Sequence, residues 1–61
     1  MNYIIEIESG LWFCGWSSLD GSMQTTTEIE LAYRMRRTLA MRTLPKVVEH
    51  YGKGQIMNAA A

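Results

Sequence analysis

The chain has 61 residues, 48% hydrophobic and 20% charged, with six basic residues balanced by six acidic ones and one histidine. That length supports a single domain, which buries only about 60% of the surface its unfolded chain exposes, and the apolar share excludes a disordered segment. Cys14 is the only cysteine and His50 the only histidine, so an internal disulfide and a four-ligand Cys/His zinc site are both excluded.

Residues 2–8 alternate, with Tyr3, Ile5 and Ile7 on one face and Ile4, Glu6 and Glu8 on the other, the period of a half-buried strand. Ser9-Gly10 supplies a turn, and residues 11–16 read as an aromatic-rich second strand. A two-residue loop sets Ile7 opposite Trp12, Ile5 opposite Cys14 and Tyr3 opposite Trp16, so the large apolar side chains of that set share one side. A three-residue bulged loop, which brings Glu6 against Trp12, ranks second. Asp20-Gly21 suits the two positive-φ positions of a type I′ turn. Pairing outward from it places Leu19 opposite Ser22, Ser18 opposite Met23 and Trp16 opposite Thr25, and extends a third strand to Thr26.

Thr27-Glu28-Ile29-Glu30 has the pattern of a capping box, with Glu28 and Glu30 where a helix dipole favours negative charge. A helix is therefore expected to begin there. Ala40, Leu44, Val47, Val48 and Tyr51 then form an apolar stripe, with Arg42, Lys46, Glu49 and His50 outside it. Pro45 lies within the stripe, where proline removes a backbone hydrogen bond and clashes with the preceding turn. Either the helix kinks, or one helix ends near Arg42 and a second starts with Thr43 as its cap and Pro45 in its first turn; the break is preferred. Gly52 suits the left-handed residue that closes a helix. Residues 55–58 are either a short edge strand or a frayed tail.

The expected fold class is α+β: a three-stranded antiparallel meander followed by one kinked or two short α-helices, in a single domain over residues 1–58. Ala59, Ala60 and Ala61 are expected to be a cloning scar or a disordered tail.

Charge is unevenly distributed along the chain. Before residue 31 stand Glu6, Glu8, Asp20, Glu28 and Glu30 without a single Lys or Arg; after it stand Arg34, Arg36, Arg37, Arg42, Lys46 and Lys53 against Glu49. Such a polar molecule can steer toward a partner or pair head-to-tail with itself, as a homodimer or other homo-oligomer. No apolar run approaches 18 residues and no signal-peptide pattern opens the chain, so membrane association is not expected and the cytoplasm is the default location.

No catalytic, metal or cofactor residue is expected. Cys14 falls on an apolar strand face, where a thiol packs as a small hydrophobe rather than serving as a nucleophile. His50 near a helix C-terminus complements the dipole more readily than it serves as a general base. Glu6 and Glu8 on one solvated strand face are poor paired carboxylates, and the glycines form no phosphate-cradling loop.

Two groups remain as contact residues. Arg34, Arg36, Arg37, Arg42 and Lys46 form a basic patch suited to phosphates or acidic partners, against the plainer reading of a solvated helix face with only Tyr33 as an interleaved aromatic. The second group is Leu11, Trp12, Phe13 and Trp16 with Met23, Met35 and Met41, which are either interface or core. With Trp12 and Trp16 on the covered side, the other sheet face carries Ile4, Leu11 and Phe13 beside Glu6 and Glu8. Phe13 and Glu6 are then contact residues.

Tyr3-Ile4-Ile5, Gly10-Leu11-Trp12, Thr25-Thr26, Ala32-Tyr33-Arg34-Met35 and Ala40 together resemble small proteins encoded by bacteriophages and other mobile elements, including anti-CRISPR and host-takeover inhibitors. The resemblance spans residues 3–51, and Pro45 departs from it by interrupting the helix. It implies a non-catalytic inhibitor in a bacterial cytoplasm that blocks a bacterial protein or ribonucleoprotein by steric contact, and it assigns no residue a role. A small nucleic-acid-binding module using the Arg cluster, and a homo-oligomeric accessory protein, are the alternatives.

Overall fold

The computed structural model describes residues 2–59. Strands β1 (Tyr3–Glu8), β2 (Leu11–Trp16) and β3 (Met23–Thr26) precede a single 3-10 turn (Ile29–Leu31), helix α1 (Arg37–Tyr51) and strand β4 (Gln55–Asn58). The sheet runs in the order β3-β2-β1-β4, with each pair antiparallel. The meander of three strands thus gains a fourth, because the chain after α1 returns beside β1 and pairs Ile4 with Met57 and Ile5 with Ile56.

Two bulges decide which side chains enter the core. Glu8 pairs with Leu11 across the Ser9-Gly10 turn, as a two-residue loop requires, with Gly10 at φ 79°. The next pair, however, is Glu6 with Trp12, which leaves Ile7 as the extra residue. The expected pairing of Ile7 with Trp12, and of Ile5 and Tyr3 with Cys14 and Trp16, is therefore displaced. Trp12 moves to the face away from α1, where it clusters with Ile4 and Ala32. Phe13 moves under the helix instead, into a core with Ile5, Ile7, Met35, Ala40 and Val47.

The second bulge lies in β2. Phe13 pairs with Thr25 and Gly15 with Gln24, so Cys14 is the unpaired extra residue and Gly15 adopts φ 125°, a left-handed region that favours glycine. Trp16 accordingly pairs with Met23, not Thr25, and Leu19 and Ser18 leave the ladder. Local side-chain bonds hold this longer loop: the Ser17 hydroxyl accepts from Leu19 N at 3.2 Å and Asp20 accepts from Ser22 N at 3.0 Å.

The capping-box sequence makes only the 3-10 turn. Thr26 accepts from Glu28 N through its hydroxyl, Glu28 is the cap residue without a side-chain cap bond, and Ala32 is already extended. The chain stays extended because its backbone joins the sheet: Tyr33 N donates to Phe13 O at 3.0 Å, and Met35 exchanges two bonds with Tyr3. Helix conformation resumes only after Arg36.

From there α1 runs unbroken through Pro45 and buries Ala40, Thr43 and Val47. Thr43 is not an N-cap; its hydroxyl donates to Leu39 O at 2.7 Å. Proline leaves the Met41 carbonyl without its helical donor. Met41 and Pro45 are both exposed, so water can satisfy that carbonyl. Gly52 ends the helix at φ 95° with its N–H bonded to Val48 O. Ala59 belongs to the fold: its N–H bonds to Asn2 O, and its methyl packs on the Ile4–Trp12 cluster. Ala60 and Ala61 lie outside the described residues.

Candidate functional site: a basic helix layer and an aromatic row

Helix α1 and the segment leading into it place all five predicted cations in solvent. Arg34, Arg36, Arg37, Arg42 and Lys46 are exposed, and the only ion pair among the described residues joins Lys53 to Glu8 at 3.0 Å. Arg42 and Lys46 stand one turn apart on α1. Arg37, Met41 and Val48 share another side of it, with Met41 57% and Val48 37% exposed. No carboxylate among the described residues makes an ion pair with these five cations.

The sheet-face part of the predicted surface is redistributed. Phe13 is 0% exposed and is a core residue, because the first bulge turns it toward α1. Glu6 lies on the opposite face, across from Trp12, and accepts a bond from Gln55 at 2.9 Å. Glu8 no longer shares its environment: it pairs with Leu11 and binds Tyr51 and Lys53. The shallow depression between them, lined by Ile7, Ser9 and Gly54 as well, thus contains carboxylates that already have partners.

A feature that sequence reasoning missed forms at the junction of β2 and α1. Phe13 meets Trp16 edge-on with ring centroids 5.2 Å apart, and meets Tyr33 edge-on at 6.2 Å. Trp16 in turn meets the His50 ring at 5.4 Å. His50 is fixed by a bond from Nδ1 to Lys46 O at 2.9 Å, which requires the proton on Nδ1. Trp16 and Tyr33 remain 38% and 45% exposed, so two partly exposed aromatic residues each contact a buried third. The sequence signal for this was Gly15 inside a strand, the usual mark of a bulge. Counted without the bulge, Trp16 falls elsewhere in the register.

Among the described residues no group of three or more His, Cys, Asp or Glu could hold a metal ion, and no helix is long and apolar enough to cross a membrane. Cys14 is partly buried and unpaired. No family model matches the chain, and neither a curated protein nor a solved structure matches it.

Proposed function

We propose that this domain is a non-catalytic binding protein that lays one side of α1 against an acidic surface of a partner protein and blocks that partner by occupying it. The observation that supports this reading is the grouping of Arg37 with exposed Met41 and Val48, beside further cations without ion pairs among the described residues. Arg and Met are enriched at protein interfaces, and a surface with an excess of positive charge steers an acidic partner toward itself. The resemblance to phage-encoded inhibitors over residues 3–51 agrees with a bacterial target.

Affinity capture from bacterial lysate, with the wild-type protein and an Arg37→Glu/Met41→Asp variant side by side, tests the reading. A protein retained by the former and lost by the latter is expected. Capture of the same proteins by both, or of none, overturns it.

Head-to-tail assembly of copies is the second reading. It is favoured by the cations of α1 on one side of the sheet and by Glu6 on the other. Sedimentation as a monomer at micromolar concentration removes it.

A further inference from the structure

The row of rings beside α1 has a chemistry of its own, separate from the Arg37–Met41–Val48 side. Stacking on a flat ligand needs a ring that is open to solvent yet held still. Trp16 and Tyr33 meet both conditions, since each is more than a third exposed and each presses on Phe13, which is fully buried. Rings already held by the core lose little freedom on binding.

Cations precede His50 at one-turn steps along α1. His50, in ring contact with Trp16, is hydrogen-bonded to the backbone of Lys46 one turn earlier, and Arg42 lies one turn earlier still. Neither cation has an ion pair among the described residues. The carboxylates nearby in sequence make no ion pair with them among the described residues. Glu49 forms no ion pair, and Asp20 is turned into its own loop by the bond from Ser22 N. Glu28 caps the 3-10 turn and Glu30 lies within it, and neither forms an ion pair among the described residues.

We propose that this row binds single-stranded nucleic acid, with a base stacked on each of Trp16 and Tyr33 and backbone phosphates on Lys46 and Arg42. Exposed aromatic residues together with cations that have no ion pair are the combination that binds bases by stacking and backbone phosphates by charge. A duplex keeps its bases inside the stack and cannot offer them to two protein rings. The row therefore selects single strands over duplexes.

Fluorescence anisotropy with labelled oligo-dT and oligo-U, a hairpin duplex of equal charge, and polyglutamate provides the test. The single strands are expected to bind at low salt and to outcompete both the duplex and polyglutamate. Trp16→Leu should weaken binding about 10-fold, within the range of one lost base stack, whereas Trp16→Phe keeps most of the affinity. Lys46→Ala should reduce the slope of log affinity against log salt by about 0.7, the value for one phosphate contact on a single strand. Trp12 is buried, so saturable tryptophan quenching by oligo-dT on the wild-type protein reports Trp16 even where the leucine variant fails to fold. Absence of binding at low salt, equal affinity for duplex and single strand, polyglutamate binding as tightly as oligo-dT, or a folded Trp16→Leu variant with unchanged affinity overturns the proposal. An Arg37→Glu/Met41→Asp variant that loses its protein partner yet still binds oligo-dT separates this site from the protein-binding side of α1.

Discussion

The Tyr51 hydroxyl donates to a carboxylate oxygen of Glu8 across 2.6 Å, tying the last turn of α1 to the end of β1, 43 residues earlier in the chain. Lys53 binds the other oxygen of the same carboxylate at 3.0 Å. Glu8 thus closes the helix, the helix exit and the first hairpin onto one group.

This clasp makes stability depend on pH at both ends. The Tyr51 bond, then Lys53, hold the Glu8 pKa below its ordinary value, while Glu8 raises that of Tyr51. A depressed carboxylate contributes stability above its unfolded pKa and loses it as pH falls through the folded value. A raised phenol contributes below its unfolded pKa and loses it as pH rises through the folded one. Urea midpoints should therefore separate wild type from Tyr51→Phe near neutrality and converge in strong acid and strong base. A separation that does not change with pH would show that the bond contributes nothing. Salt should shrink the Lys53 part, since both groups are largely exposed.

Phe13 should be the most costly residue to truncate. It is fully buried, supports Trp16 and Tyr33, and belongs to the helix-side core. Phe→Ala in a core costs about 3–5 kcal/mol, whereas the whole stability of a 61-residue domain is about 3–9 kcal/mol. Phe13→Ala is expected to leave the chain largely unfolded at 25 °C by circular dichroism, and Phe13→Leu to remain folded with a lower midpoint.

Pro45→Ala should stabilise the protein. The proline sits nine residues into a 15-residue helix, at an exposed position, and removes the hydrogen bond to Met41 O. Restoring that bond should gain about 1–3 kcal/mol, at about 4–8 °C in Tm per kcal/mol for a domain of this size. An unchanged Tm would show that the backbone around Pro45 has relaxed fully.

Gly52 and Gly54 should respond in opposite directions to alanine. Gly52 ends the helix at φ 95°, where a side chain is strained, so Gly52→Ala should cost about 1 kcal/mol. Gly54 has no positive φ, and an added Cβ would lie 3.4 Å from Leu44 Cδ1, 3.5 Å from Val47 Cγ1 and 3.7 Å from Ile5 Cγ2, ordinary contact distances. Gly54→Ala should therefore gain about 0.4–1 kcal/mol by stiffening the unfolded chain and filling that space. Thermal melts of the two variants moving the same way would contradict the geometry.

Much of the backbone was legible in local chemistry. Alternation over residues 3–8, the Ser9-Gly10 turn, the aromatic run of 11–16 and the left-handed Gly52 all lie where nearest-neighbour rules place them, while residues 55–58, open between an edge strand and a frayed tail, form the strand. The exposed cations of the candidate site were legible too, because charge on a helix far from any acidic run has nowhere to go but solvent.

The faces of the strands were not. One extra residue reverses the alternation of everything beyond it, so bulges at Ile7 and Cys14 moved Phe13 into the core and Trp12 out of the helix side, and set Trp16 in the solvent-facing row. The capping-box motif at Thr27 failed for a related reason. The backbone of Tyr33 and Met35 is held extended by Phe13 and Tyr3, partners distant in sequence, and long-range pairing overrides a local preference worth about 1 kcal/mol. Local sequence determined the strands, the turn glycines and the charge on each element. Only contacts between distant residues decided which rings face water, where the helix begins, and which aromatic ring meets His50.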